Sequence, residues 1–325
     1  MKKALILGIT GQDGSWLAKL LLEKGYQVSG TSRDAEMTRL DNLRQLNVLE
    51  CVGLYSVAIR DFRSVLQVII KTEPDEIYNL SGQTSVALSF AQPVETFESI
   101  SVGNLNLLEA IRLSSRKTRL YNACSGECFG NTNGEAADEQ TPFRPRSPYA
   151  VAKAAAFWQA ANYREAYDIF VSSGILFNHE SPLRPERFVT QKIIAAACRI
   201  ARGSRETLAL GNMKVERDWG WAPDYVEAMW RMLQQEDADD YVIATGETSG
   251  LGDFTKEAFS ALGMDWQDHV RHDPALLRPS DILSARANPA KAARKLGWRA
   301  RYKMKDVIRL MLDAQKQGLD GKIEH

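Results

Sequence analysis

Cysteine and histidine are scarce in this 325-residue sequence, and neither sign of charge is in excess. The four cysteines and four histidines show no C-x-x-C or H-x-x-x-H spacing, so we expect no metal site. Without a framework of paired cysteines, we also expect no disulfides and a reduced, cytoplasmic protein. The 41 basic and 41 acidic residues cancel, which gives no reason to expect a nucleic-acid or membrane partner.

Long apolar runs are also lacking, since none reaches the roughly 18 residues that a membrane-spanning helix needs. The N-terminus begins like a secretory signal, with two lysines before a short apolar stretch. That stretch ends at Gly8, and the polar residues Gln12 and Asp13 follow directly. We therefore interpret residues 3–9 as a buried first strand and not as a signal peptide.

A glycine-rich segment follows this strand and opens a helix predicted near residues 14–24. Its pattern is G-x-x-G-x-x-G. Glycines permit a sharp turn and let a pyrophosphate approach the helix N-terminus, where free N–H groups favour anions. The pattern predicts a dinucleotide site, with an ordinary tight strand–helix turn as the alternative. The residues assigned to the cofactor here are Gly8, Gly11, Gln12, Asp13 and Gly14.

The end of the second predicted strand bears on the choice of cofactor. Ser32 and Arg33 suit the 2′-phosphate of NADP, whereas Asp34 lies about 20 residues past the glycines, where an acid binds the ribose of NAD. We predict NADP, with NAD as the alternative. An exposed loop residue is the alternative interpretation of Arg33.

Apolar strands alternate with helices through about residue 175, which predicts an α/β fold with a doubly wound parallel (Rossmann) sheet. Further strands are predicted near 26–31, 76–80, 119–123, 169–176 and 240–246, and helices near 61–72, 94–113, 148–167, 189–202, 223–235 and 304–317. Small residues after the strand at 76–80 leave room for a ligand at the sheet edge. We assign Leu80 and Gln83 there to the cofactor.

The sequence changes character at residues 178–185, a polar segment with prolines, after which short helices dominate. We therefore predict a smaller, mainly helical lobe beside the sheet. The dinucleotide-binding domain is placed at 1–180 plus 213–250, and the substrate-binding lobe at 181–212 plus 251–325.

Tyr149 and Lys153 lie four residues apart on a predicted helix that Ser147 can cap and Pro148 can begin. This spacing places both side chains on one helix face. A neighbouring ammonium favours phenolate, so we expect Lys153 to lower the pKa of Tyr149 and to make it an acid/base catalyst. A packed tyrosine beside a solvated lysine is the alternative.

Ser125 and Glu127 follow the strand at 119–123, at the carboxyl edge where parallel sheets build their sites. Their spacing of two places both side chains on one side of an extended segment. For Glu127 alone, a surface carboxylate at a strand end is the alternative interpretation.

Together these features resemble the extended short-chain dehydrogenase/reductases and, more narrowly, the GDP-mannose 4,6-dehydratase family. The resemblance covers nearly the whole chain. It is carried by GITGQDG (8–14), RSPYAVAK (146–153), NYREAY (162–167), GILFNHESP (174–182), RDWG (217–220) and DYVEAMW (224–230).

The resemblance implies a catalytic role for four residues. Tyr149 takes the proton of the sugar 4-hydroxyl while C4 gives its hydride to the nicotinamide, and Lys153 holds the nicotinamide ribose. Ser125 hydrogen-bonds the developing C4 carbonyl. Glu127 removes the C5 proton and assists the loss of water from C6, to which the hydride returns. The reaction is therefore a lyase step with internal redox.

The resemblance also implies a GDP-sugar substrate and a homodimer or homotetramer. It places Asn178 at the sugar and Lys192, Arg217 and Arg278 at the diphosphate, whereas His179 is interpreted as a structural residue. Ser280 and Asp281 depart from the family pattern, which leaves GDP-mannose and a related GDP-sugar both open. The alternatives are a 4-keto-sugar reductase or epimerase, which would not need Glu127, and a non-catalytic NADP-binding regulator, which would not need the Tyr–Lys pair.

Overall fold

The structure is a computed structural model and describes residues 1–114 and 116–320. Its strands are β1 (Lys3–Leu7), β2 (Gln27–Ser32), β3 (Val52–Ser56), β4 (Glu76–Asn79), β5 (Arg119–Ser125), β6 (Val171–Leu176), β7 (Asn178–Glu180), β8 (Leu208–Leu210), β9 (Glu216–Trp221), β10 (Tyr241–Ile243), β11 (Thr248–Gly250) and β12 (Val270–His272).

The helices are α1 (Gln12–Glu23), α2 (Asp41–Gln45), α3 (Phe62–Thr72), α4 (Val86–Ala91), α5 (Pro93–Phe97), α6 (Gly103–Leu113), α7 (Pro148–Tyr167), α8 (Val189–Ala201), α9 (Ala222–Met232), α10 (Leu251–Ser260), α11 (Ala290–Leu296) and α12 (Met304–Asp320). A π-helical turn, Glu98–Val102, joins α5 to α6. Among the described helices, none combines the length and the apolar character needed to span a membrane.

Seven strands form one parallel sheet in the order β10-β6-β5-β4-β1-β2-β3. The order reverses between β1 and β4, because the chain builds outward through β2 and β3 before it returns. At such a reversal the connections leave in opposite directions and a crevice opens at the carboxyl ends of the strands. The predicted doubly wound parallel sheet is confirmed.

Helices cover both faces of this sheet. The side chains on both sides of each central strand are therefore buried, which explains why these strands have apolar sequences without alternation. On one face, α1 and α9 pack together over side chains such as Ile6, Tyr78 and Tyr121. On the other face, α3, α6 and α7 cover Leu5 and Leu7. The central strands are therefore buried on both faces, which fixes the positions of their carboxyl-edge residues.

The remaining strands form a three-stranded sheet, β11-β9-β7, and a two-stranded sheet, β12-β8. A separate apolar cluster joins residues of α8, β9, α10 and α12. The segment predicted as a polar loop at 178–185 thus begins with a strand, and the predicted helical lobe contains short strands. Three residues are too few to show alternation, so pairing with distant strands decides their conformation. The domain boundaries given above stay a prediction.

Candidate active site

A cavity of about 430 Å³ lies at the carboxyl edge of the large sheet. Its wall is formed by the segments after β4, β5 and β6, by the first turns of α1 and α7, and by residues from β8, β9 and the segment after β12. Most of the predicted site residues meet here. They are Asp13, Leu80, Ser125, Glu127, Tyr149, Lys153, Asn178, Lys192, Arg217 and Arg278.

The other predicted site residues are not part of this wall: Gly8, Gly11, Gln12, Gly14, Arg33 and Gln83. Arg33 is exposed on the loop after β2. The side-chain amide of Gln83 donates to the Ser85 carbonyl oxygen over 2.8 Å and to Thr96 Oγ1 over 3.2 Å. Gln83 therefore shapes the loop that borders the cavity.

The glycine-rich turn between β1 and α1 fits a bound dinucleotide. Gly8 has φ +84°, and a Cβ there would lie 2.8 Å from the Leu80 carbonyl oxygen. A Cβ on Gly14 would lie 2.4 Å from the Gly8 carbonyl oxygen. The backbone is thus packed so closely that α1 begins directly at the sheet edge, with Gly11 as a cap that carries no side chain. A bare helix N-terminus of this kind binds phosphate.

Tyr149 and Lys153 both project from the first turns of α7 and are buried. Lys153 Nζ donates to the Ala123 carbonyl oxygen over 2.7 Å and lies 6.0 Å from the centre of the Tyr149 ring. Burial lowers the pKa of Lys153 and raises that of Tyr149 above its ordinary value, although a hydrogen bond with the Ser125 hydroxyl acts in the opposite direction.

The expectation that Lys153 lowers the pKa of Tyr149 is therefore wrong for this structure. The spacing on the helix was predicted correctly, but two further facts decide the pKa. The phenol is removed from water, and the Lys153 ammonium is directed at a backbone carbonyl. Removal of a phenolate from water opposes ionisation more strongly than a cation several ångströms away favours it.

Ser125 and Glu127 face the cavity from the end of β5 and the tight turn after it. Ser125 Oγ accepts a hydrogen bond from the Glu127 N–H over 3.2 Å, which fixes the turn. Gly126 is required between them, because a Cβ there would lie 2.9 Å from the Phe177 ring. The Glu127 carboxylate lies 4.0 Å from the Arg217 guanidinium and keeps partial contact with solvent.

The three predicted cations Lys192, Arg217 and Arg278 line the same cavity. The guanidinium of Arg217 donates to the Ile282 carbonyl oxygen over 2.7 Å and to Asp281 over 3.2 Å. Arg278 lies 3.6 Å from the same carboxylate. Lys192 Nζ donates to the Ala209 carbonyl oxygen over 2.8 Å. Asp281 thus holds two guanidinium groups side by side, in a geometry suited to an anion with two charges.

Residues that the sequence did not single out also line this wall, among them Glu180, Arg184 and Arg187. Arg184 lies 3.2 Å from the buried Glu180 carboxylate and stacks 4.0 Å over the ring of Phe188. The signal for Arg184 was its place in the polar segment with prolines, but its approach to the cavity depends on tertiary packing. Within the described residues, no cluster of three or more potential metal ligands is present.

The fold and the site define an enzyme of the extended short-chain dehydrogenase/reductase type. UDP-glucose 4-epimerase from Thermus thermophilus, solved in complex with NAD, has a similar structure with a TM-score of 0.85 and 28% identity, over 97% of this chain and 99% of that one. The dTDP-glucose 4,6-dehydratase of Bacillus anthracis superposes with a TM-score of 0.86 at 17% identity, over 98% of each chain.

The sequence itself narrows this class. The family model described as GDP-mannose 4,6 dehydratase matches residues 5–311. GDP-mannose 4,6 dehydratase 1 of Arabidopsis thaliana is 43% identical over 96% of this chain and 89% of its own length. GDP-mannose 4,6-dehydratase of Yersinia enterocolitica is 44% identical over 92% of this chain and 89% of its own length. The chain belongs to the GDP-mannose 4,6-dehydratase family, an enzyme family of the lyase class, and the resemblance stated above is confirmed.

Proposed function

We propose that the protein converts GDP-mannose, or a closely related GDP-sugar, to the 4-keto-6-deoxy sugar. The observation that carries this proposal is the meeting of Ser125, Glu127, Tyr149 and Lys153 in one cavity. The cations that line the same cavity suit a nucleoside diphosphate. A nicotinamide dinucleotide, which the glycine-rich turn at 8–14 would hold, would supply hydride acceptance and hydride donation at the sugar.

Tyr149 and Glu127 each carry out part of the proton transfer in this proposal. The proton of the sugar 4-hydroxyl passes to the Tyr149 phenolate, which becomes a phenol, and the hydrogen bond from the Ser125 hydroxyl opposes the effect of burial on that phenolate. Once C4 is a ketone, the C5 hydrogen is acidic, and Glu127 removes it. The same carboxyl group then gives its proton to the hydroxyl that leaves C6 as water. The hydride returns to C6 and the proton held by Tyr149 passes to C5, so the net change is the loss of one water.

The substrate diphosphate lies, in this proposal, against Lys192, Arg217 and Arg278. Arg217 contacts Asp281 on one side and approaches Glu127 on the other. It therefore places positive charge between the proposed diphosphate site and the Glu127 carboxylate. Asn178, at the start of β7 on the same wall, is the proposed hydrogen-bonding partner of the sugar hydroxyls.

The test is incubation of the purified protein with GDP-mannose and with other GDP-sugars, without added cofactor. We expect a product that is lighter by one water, in molar excess over the enzyme, because the hydride is recycled on the bound dinucleotide. Consumption of one NADPH for each product would support a reductase instead. A stereochemical change with no loss of mass would support an epimerase.

We propose NADP as the cofactor. Asp34 Oδ1 accepts the backbone N–H groups of Glu36 and Met37 over 3.1 and 3.0 Å, so this carboxylate is engaged in its own loop. Arg33 is exposed beside it and suits a 2′-phosphate. The measurement is the dissociation constant of NADPH against that of NADH; tighter binding of NADH would reverse the assignment.

We propose that the protein forms a homodimer, with a homotetramer as a higher assembly. Exposed apolar side chains are concentrated on α5, α6 and α7 and on the π-helical turn between α5 and α6, which pack against one another on one face of the sheet. Patches of this kind on a helical face are typical of subunit interfaces. The members of this patch are Val94, Phe97, Val102, Leu105, Val151 and Trp158.

We also place the protein in the cytoplasm. All four cysteines are free, and the Cys124 and Cys128 sulfur atoms lie 3.7 Å apart without a bond between them. Two thiols so close together suit a reducing compartment. Cell fractionation checks this proposal, and recovery of the protein with a Cys124–Cys128 disulfide would contradict it.

A further inference from the structure

A partly buried ion pair connects the glycine-rich turn to the segment after β6. His179 Nε2 lies 2.9 Å from Asp13 Oδ2, and His179 Nδ1 lies 2.7 Å from the Phe177 carbonyl oxygen. Asp13 is in the first turn of α1, whereas His179 is in the middle of β7. Both residues line the wall of the cavity. The mechanism proposed above uses neither of them.

The surroundings of the imidazole determine its charge. A neutral imidazole has one N–H and one acceptor nitrogen, but both nitrogens of His179 face oxygen acceptors. Asp13 Oδ1 accepts in addition a hydrogen bond from Gln12 Nε2 over 3.0 Å, as a carboxylate does. With Asp13 ionised, as its lowered pKa favours, both oxygen atoms that face the ring accept, and only an imidazolium supplies an N–H to each of them.

The directions of the pKa shifts agree with this geometry. Burial lowers the pKa of His179, but the Asp13 charge and the hydrogen bonds to Asp13 and Phe177 outweigh it, so the pKa lies above the ordinary 6.5. Burial raises the pKa of Asp13, and the attraction of His179 outweighs it, so the pKa lies below the ordinary 3.8. Both shifts therefore favour the charged forms of the pair.

Other groups face the pair from every element around it. Tyr225 of α9 stacks on the imidazole with ring centres 4.4 Å apart and an angle of 24°. Arg184, from the segment after β7, opposes the charge on His179 and favours that on Asp13. The Asp13 charge also acts on Tyr121 of β5 and on Lys153 of α7. Burial raises the pKa of both tyrosines and keeps them neutral.

A second set of hydrogen bonds runs parallel to the ion pair. Gln12 Nε2 donates to the His179 carbonyl oxygen over 3.2 Å, and Ser181 Oγ donates to Gln12 Oε1 over 3.0 Å. Two successive residues of α1 are thus tied to the segment that carries Asn178. The start of α1 is also where free N–H groups favour an anion, and an unpaired carboxylate in that turn would repel a pyrophosphate.

We propose that Asp13 and His179 are positioning residues that form a charge-neutral clasp between the dinucleotide site and the substrate side of the cavity. The imidazolium cancels the carboxylate beside the pyrophosphate site, so cofactor affinity depends on the charge of the clasp. This inference rests only on the dinucleotide part of the proposed function. Its test does not depend on the dehydration step.

The test compares variants that change charge but preserve hydrogen bonding. Asp13→Asn keeps an acceptor for Gln12 and supplies a donor to a neutral imidazole. His179→Gln leaves the carboxylate without a counter-charge. Asp13→Asn/His179→Gln removes both charges, and Tyr225→Phe keeps the stacked ring as a matched control. The dissociation constant of NADPH, or of NADH if the wild type binds it more tightly, is measured by fluorescence from about pH 6.5 to 9.5.

We expect wild type and Tyr225→Phe to lose affinity by about tenfold or more as pH rises and His179 loses its proton. The affinity of Asp13→Asn for the cofactor should not fall with rising pH, although this variant keeps Lys153 and Arg184. His179→Gln should bind about tenfold more weakly than wild type at neutral pH, and the double variant should recover most of that loss. Thermal unfolding confirms that each variant is folded.

Two results would overturn the clasp: an unchanged pH dependence in Asp13→Asn, or a double variant that binds no better than His179→Gln. The second result is what a purely steric role of the two side chains would give. Failure of the wild type to bind either dinucleotide would instead remove the dinucleotide site itself. Absence of dehydration with normal cofactor binding would leave the clasp standing.

Discussion

At the carboxyl end of β5, a hydroxyl and a carboxylate reach the cavity from residues two apart. Ser125 is the cap of the following turn, and Glu127 is held in that turn by the hydrogen bond to Ser125. A hydroxyl next to a tyrosine suffices for oxidation and reduction at a carbinol. The carboxylate adds the capacity to remove a proton from a neighbouring carbon, which the elimination of water requires.

The first prediction at this scale concerns Glu127. Glu127→Gln keeps the size and polarity of the side chain but removes the base, so we expect dehydration to fall by roughly 10²–10⁴-fold. Cofactor affinity should stay within about twofold, because Glu127 lies on the substrate side. Product formation is followed by mass spectrometry, and deuterium uptake at C5 in D₂O is measured alongside. Full turnover in the variant would exclude Glu127 as the base.

The environment of Asp218 leads to a second prediction, which concerns the dependence of stability on pH. It is fully buried in β9, where its oxygens accept the N–H groups of Thr245 and Gly246 over 3.0 and 2.8 Å. Burial raises its pKa to about 6, against 3.8 ordinarily, although these hydrogen bonds lower it. The folded state thus holds the proton more tightly than the unfolded chain does.

The sign of the pH effect follows from that difference. The contribution of Asp218 to stability is complete below about pH 4, is lost as pH rises towards 6, and is constant above that. The loss is on the order of 3 kcal/mol. Asp218→Asn lacks this titrating group, so only the wild type should lose this stability as pH rises. The urea midpoint of the wild type should therefore fall relative to that of the variant between about pH 4 and 6. Parallel profiles would show that Asp218 titrates normally.

At the scale of elements, the glycine-rich turn sets how closely α1 approaches β1. We expect Gly14→Ala to weaken cofactor binding at least about tenfold and to destabilise the fold by about 1–3 kcal/mol, because the Cβ would meet backbone atoms that cannot rotate away. Gly252→Ala in α10 is the matched control, because the added Cβ would lie 3.6 Å from the Met213 carbonyl oxygen, which is an ordinary contact distance. Titration with NADPH and thermal unfolding distinguish the two. Equal affinity in both variants would contradict the role assigned to the turn.

The accuracy of prediction from sequence also varied by element. The helix predicted at 148–167 has those bounds in the structure, because its signals are local: Ser147 Oγ accepts the Ala150 N–H over 3.1 Å, and Pro148 fills the first position. The strands β7, β11 and β12 carry no such signal. Each has three residues and exists because a distant strand, such as β9, pairs with it.

The same contrast holds for the candidate site. The residues at the sheet edge could be predicted, because parallel strands bring their carboxyl ends together and the motifs mark those ends. The approach of Arg184 and the reversed pKa shift of Tyr149 could not. Both depend on which atoms surround a side chain after the lobe packs against the sheet, and no spacing along the chain contains that information.

On the scale of the whole molecule, the patch on α5, α6 and α7 carries the last prediction. Trp158 is 61% exposed and Val151 is 45% exposed, and they lie seven residues apart on one face of α7. Their solvation would be unfavourable in a monomer, and a second copy related by a twofold axis would bury the same patch on both sides. Trp158→Glu would place two carboxylates in that interface.

We therefore expect Trp158→Glu to shift the assembly to monomers, measured by light scattering coupled to size-exclusion chromatography over a range of concentrations. Leu283→Glu is the control, because Leu283 is also 61% exposed but lies outside the patch. The circular dichroism of both variants should match that of the wild type. The opposite result would be a dimer of Trp158→Glu with the wild-type dissociation constant and a monomeric Leu283→Glu. That result would place the interface on the lobe and not on the helices that cover the sheet. None of the patch residues lines the active-site cavity, so we expect the monomer to retain cofactor affinity within about threefold.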